Sequence, residues 1–272
     1  MMSGFLAYGF VQRGLLAGSL VAAACALIGV FLVLKRLSLI GDGMSHVCLT
    51  GVAVALLTSS NPVYMSVPVV VLSSLGIMKI TQKFKIYGDA AIGIVSAAGL
   101  SVGLLITAFA GGFNTDLLGY LFGSILTVSW DEVLLCGILL AAVLGGLRFF
   151  YRDLTSACFD EPFARTRGVP VRIVNTALVA VTSVAVVLAF KVVGIFLISA
   201  MLIIPPVSAL LVSHTFKQVL VCAACFGVAS VWLGVYLSFL FNIPSGATII
   251  LVNLLILAGC YIYAKAGGSD AR

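Results

Sequence analysis

Residues 10–34 read FVQRGLLAGSLVAAACALIGVFLVL, an apolar run with one charge, Arg13, closed by Lys35-Arg36. About 20 apolar residues make a helix long enough to cross the hydrocarbon core of a bilayer, so this run reads as a membrane span. The pattern recurs to the end of the chain. It predicts spans over about 10–34, 41–60, 62–80, 88–111, 129–150, 173–190, 192–213, 218–241 and 246–264. The breaks are Lys35-Arg36, Asn61-Pro62, the Lys79 to Lys85 cluster, Gly111-Gly112, a loop at 151–172, Lys191, His214 to Gln218 and Asn242 to Pro244. The break at Lys191 is the weakest, because 173–213 is nearly continuous. Nine spans is the expected count and eight the alternative.

Composition supports the same class. Of 272 residues, 62% are hydrophobic and 9% charged, with a mean hydropathy of +1.25. A soluble domain carries about a quarter charged residues, so this chain cannot coat itself for water. That excludes a soluble enzyme, a disordered chain and a nucleic-acid-binding protein. The expected fold is all-α: one polytopic transmembrane domain over 1–272, in the plasma or inner membrane. The seven cysteines lie almost entirely inside apolar runs and read as small buried hydrophobes, without a disulfide pattern. The start, MMSGFLAYGFVQRGLL, has no basic n-region, so the first run is expected to be retained.

Orientation follows from basic residues, which favour the cytoplasmic side. With the N-terminus outside, all of the fifteen Lys and Arg except Arg13 and Lys191 fall inside. The C-terminus and the 151–172 loop are then cytoplasmic.

Charges inside spans are costly and mark polar pathways. Asp42 lies in LIGDGMSHVCLTG, residues 39–51, and His46 follows four residues later. That spacing puts both side chains on one helical face. A carboxylate and an imidazole form a ligand pair suited to zinc, manganese or iron(II), and a second copy of the chain would complete a set of four donors. The same residues fit a plainer account: Asp42 as the N-cap of the second span and His46 as a buried neutral histidine. Cys222-Ala-Ala-Cys225 has metal-type spacing but sits in a uniformly apolar helix and reads as packing. In the 151–172 loop, FDEPFARTRGVP (159–170) reads as a short helix with Pro162 in its first turn and Gly168 as C-cap. Acidic Glu161 at its start and Arg165 and Arg167 near its end suit the helix dipole. Such a helix either docks a soluble partner or lies on the bilayer through its arginines.

Four stretches together resemble the permease subunits of ABC importers for divalent transition metals, the zinc and manganese uptake family. They are Leu34-KRLSLIGDGMS-His46, Tyr120-LFGSI-Leu126, the Glu161 to Val169 loop, and Val192-VGIFLISAMLII-Pro205 followed by Pro244-SGATII-Leu251. The resemblance implies a type II importer-like homodimeric permease, with two ATP-binding cassette subunits below and a metal-capturing binding protein above. It implies that Asp42 and His46 line the translocation path. It further implies that Glu161, Pro162, Phe163, Arg165, Arg167 and Gly168 form the coupling helix seated in the ATPase. Pro205-Pro206 replaces a single proline followed by small residues in many relatives. No tightly bound cofactor is expected beyond the transported ion, and the SLIGD, SHV and PSGAT stretches look closer to zinc members than to manganese ones. The chain has no Gly-x-x-x-x-Gly-Lys-Ser/Thr, so hydrolysis is expected on a separate polypeptide. A secondary transporter with Asp42 as proton carrier is the alternative of another class, and the lack of a second Asp–His copy counts against it.

Overall fold

The computed structural model describes residues 8–84, 87–109, 128–194 and 198–266. Among them are ten helices and no strand: α1 (Gly9–Leu34), α2 (Ile40–Leu57), α3 (Pro62–Phe84), α4 (Gly88–Phe109), α5 (Trp130–Phe159), α6 (Glu161–Thr166), α7 (Val171–Val193), α8 (Ile198–Val212), α9 (Phe216–Phe241) and α10 (Ser245–Ala266). The expected all-helical membrane bundle is borne out. Eight of these helices are long and apolar enough to cross a membrane. The expected span at 192–213 corresponds to α8, which at ~1.5 Å per residue is about 22 Å long, less than a ~30 Å hydrocarbon core. The break expected at Lys191 falls at Gly194, where a φ of 95° ends α7. Tyr120–Leu126, Lys85, Gly111-Gly112 and Arg272 lie outside the described residues.

One helix organises the rest. α1 packs against α5, α7, α8 and α9. Its middle, Val21 to Ala26, is mostly alanine, and Val21, Ala22, Ala24, Cys25 and Ala26 are fully buried. A helix that is apolar on every side belongs in the interior, and small side chains let neighbours approach its backbone. α2 is the second interior helix, held between α3 and α4. The outer helices turn large apolar side chains outward, among them Leu72, Leu134, Phe149 and Leu255. Lipid is the solvent that suits such a surface.

Backbone and hydroxyl groups inside a bilayer must find partners within the protein. Ser19, Thr182, Ser183 and Ser208 donate to the carbonyls four residues earlier at 2.6–2.9 Å. Between helices, the indole of Trp232 donates to Ser19 Oγ at 3.0 Å, and Thr50 Oγ1 donates to the Gly99 carbonyl.

α5 differs from its expected end at 150: it runs on to Phe159, and α7 begins at Val171. Arg148, Arg152 and Asp153 lower the hydropathy there, but helix geometry does not require apolar side chains. The helix ends only where Asp160 turns extended, at φ −145° and ψ 94°. What was expected as a loop is largely this helical extension followed by α6.

At the α2–α3 crossing, a Cβ on Gly51 would stand 2.5 Å from Ser66 Cα, which is backbone and cannot yield. Gly51→Val should therefore cost about 1–3 kcal/mol by overpacking and lower the unfolding temperature in detergent. A melting curve matching wild type would mean that this crossing is looser than described.

Candidate functional site

Asp42 is the third residue of α2, and the helix opens at Leu39 without a side-chain cap. Asp42 is therefore not the N-cap of α2, because Leu39 holds that position and Asp42 lies inside the first turn. Glycines flank it. A Cβ on Gly41 would lie 2.6 Å from Leu202 Cδ1 of α8, and one on Gly43 would lie 2.5 Å from Ile92 Cγ2 of α4. The two glycines thus let α8 and α4 close on either side of α2 while the carboxylate between them stays open. The Asp42 side chain is 55% exposed and that of His46 27%.

Asp42 Oδ2 and His46 Nε2 are 3.8 Å apart, too far for a hydrogen bond. Two ligands of one ion at 2.0–2.2 Å stand about 3–3.5 Å apart, so a small rotation would let both reach a single cation. The other oxygen, Asp42 Oδ1, accepts from Ser199 Oγ of α8 at 3.5 Å, and Ser45 Oγ donates to the Asp42 main-chain carbonyl at 2.7 Å. Among the described residues, no three His, Cys, Asp or Glu side chains gather as a metal site. Cys48 is fully buried. Ser199 escaped the sequence reading. It lies within the Val192–Pro205 stretch, but only helix packing brings it to Asp42.

α8 reaches α2 and α1 together. Pro205 and Pro206 sit inside it and carry no N–H, so the Met201 and Leu202 carbonyls lose the donors four residues ahead. The Leu202 oxygen points at Gly29 of α1, into the place a side chain would occupy. The helix continues through both prolines.

The second group of expected residues forms α6. Asp160 caps it by accepting from Phe163 N at 2.9 Å, with Pro162 in the first turn. Glu161 and Arg165 pair at 2.5 Å, and the Arg167 guanidinium lies 5.7 Å from the Phe163 ring centre. The C-cap is Arg167 and not Gly168 as expected; Gly168 follows one position beyond it, at φ 79°. The Val169 and Gly168 amides bond back to the Ala164 and Arg165 carbonyls at 3.1 and 3.0 Å, a closed C-terminal turn of the kind glycine permits. Ala164 is buried with Ala157 and Val171 in a small core of its own, while Phe163 stays 53% exposed.

The model of the ABC 3 transport family matches residues 7–264. This chain belongs to that family. It is 33% identical to the manganese transport system membrane protein MntC of Listeria innocua over 267 residues, covering 98% of this chain and 95% of the relative. It is 32% identical to the probable iron transport system membrane protein of Haemophilus influenzae, covering 96% of each. The solved structure of PsaBC from Streptococcus pneumoniae in complex with Fab matches with a TM-score of 0.86 at 28% identity, over 98% of this chain and 100% of that one. The resemblance carried by the four sequence stretches is borne out, and the chain is a multi-pass membrane protein of an ABC transporter.

Asp160→Ala should remove the α6 cap, worth about 0.5–2 kcal/mol, and fray the six-residue helix. Limited proteolysis should then cut between 160 and 168 faster than in wild type. An unchanged cleavage rate would show that the small core beneath α6 holds it without the cap.

Proposed function

We propose that this chain, the permease of a metal ABC importer, passes a divalent first-row transition-metal ion along a path lined by Asp42 and His46. The observation that carries the reading is the open carboxylate of Asp42 beside His46, on an interior helix where packing could have buried it. One oxygen and one nitrogen donor per chain make an incomplete site, and a second copy would supply the matching pair. A separate ATP-binding subunit docks on α6, whose exposed Phe163, Arg165 and Arg167 stand on a fixed base. An extracytoplasmic metal-binding protein delivers the ion on the opposite face. The permease converts closure of its nucleotide-binding partner into alternating exposure of the metal path.

Manganese is the cargo this reading favours. Relatives at 30–33% identity carry manganese in their names, and a carboxylate with an imidazole and no thiolate suits a harder ion. Zinc is the second reading, favoured by the SLIGD, SHV and PSGAT stretches. Iron(II) shares the same donors.

Asp42→Ala and His46→Ala should each cut metal uptake into proteoliposomes at least about tenfold while the protein still inserts and assembles. Uptake at wild-type rates would remove the pair from the path. Mutual competition among Mn²⁺, Zn²⁺ and Fe²⁺ in the same assay chooses the ion.

Arg165→Glu combined with Arg167→Glu should weaken association with the ATP-binding subunit at least about tenfold. Adding Glu161→Lys restores the pairing within α6 and should not restore docking. Undiminished co-purification by the double variant would favour the lipid-surface reading of α6.

A further inference from the structure

α6 and the Asp42 helix lie far apart in sequence, yet one side chain joins their foundations. Lys35 Nζ donates to the Ala157 carbonyl at 2.9 Å, across 122 residues of sequence. Ala157 lies in the last turn of α5, one residue past Ser156, whose carbonyl takes the last helical amide, that of Asp160, at 3.0 Å. The chain turns extended at Asp160 to cap α6, so no further helical amide comes. Lys35 therefore supplies both a donor and a positive charge to the negative end of α5. The side chain of Ala157 is meanwhile buried under α6 with Ala164 and Val171. Lys35 thus grips the floor on which α6 stands.

On its other side Lys35 belongs to the corner between α1 and α2. Arg36 takes a left-handed φ of 58°, and the Arg36 and Leu37 amides bond back to the Val33 and Leu32 carbonyls at 3.1 and 2.9 Å. Ile40 N then bonds to Leu37 O at 3.1 Å and Gly43 N to Leu39 O at 3.0 Å. The amides of Lys35, Arg36, Leu37 and Ile40 are thus bonded within this corner, which stiffens the backbone that leads from Lys35 to Asp42.

We propose that Lys35 is a positioning residue for coupled transport: it ties the base of α6 to the α1–α2 corner, so that movement of the docked ATP-binding subunit shifts Asp42. The inference rests on α6 being the docking helix. It adds a residue that lies outside both α6 and the Asp42–His46 pair.

The test uses the full chain, reconstituted with its ATP-binding subunit and binding protein in proteoliposomes, with Mn²⁺ as the probe. In Lys35→Met the ATP-binding subunit should still co-purify and basal hydrolysis persist, while Mn²⁺ taken up per ATP falls about tenfold. Lys35→Arg, which keeps charge and donors, should recover most of that ratio. Lys35→Gln, a milder change too short to reach Ala157, is read the same way if the methionine variant folds poorly. A helix cap with no part in coupling would lower thermal stability and leave uptake per ATP unmoved, and that result overturns the proposal. So does loss of the ATP-binding subunit from Lys35→Gln, or an arginine variant as uncoupled as the others. The Arg165/Arg167 reversal run alongside separates the two ideas. If that reversal strips the subunit while Lys35→Met keeps the wild-type ratio, docking on α6 stands and the role of Lys35 falls. If the reversal leaves the subunit bound, the docking reading itself fails.

Discussion

The close approach of α8 to α1 and α2, made at Gly29 and Gly41, is the contact on which the rest of the arrangement depends. A bilayer offers no water to a freed carbonyl and no hydrophobic drive between helices, so association has to come from shape and internal hydrogen bonding. Pro205 and Pro206 free two carbonyls, and Gly29 leaves room for the Leu202 oxygen. The same seating puts Leu202 over Gly41 and brings Ser199 to the carboxylate of Asp42. A larger residue at either glycine would push α8 outward and separate the polar contact from the helix that carries it.

The spans were legible because lipid requires long apolar helices, and their ends were marked where Lys35-Arg36, Pro62 and Pro244 interrupt the pattern. Three features were not legible, each for a physical reason. The end of α5 depends on the backbone of Asp160, and hydropathy had already fallen nine residues earlier without stopping the helix. The break in the near-continuous 173–213 run was expected at Lys191, but α7 runs past that charge and ends at Gly194, where a positive φ stops it. At the site, the pairing of Asp42 with His46 followed from helical spacing, but the contact with Ser199 needs helices 157 residues apart in sequence to meet. The two accounts of Asp42 could not be separated by sequence, because they differ only in where α2 begins. A start at Ile40 decides it: the carboxylate falls inside the helix instead of ahead of it.

With nine acidic residues in the chain, how each is held is informative. Glu132 and Asp160 accept from backbone amides at helix starts, and Glu161 is paired with Arg165. These carboxylates have strong partners and would have to be released before they could do anything else. Asp42 is held differently. Among the described residues its side-chain contacts are a histidine at 3.8 Å and a serine hydroxyl at 3.5 Å, both long, with no backbone amide bonded to it. On the reading proposed above, this loose hold has a use: the carboxylate accepts a cation without first breaking strong bonds. A site with only two donors per chain holds that cation weakly enough to let it go. On the same reading, the thin coordination that would disqualify Asp42 and His46 as a structural metal centre is what suits them to a transport path.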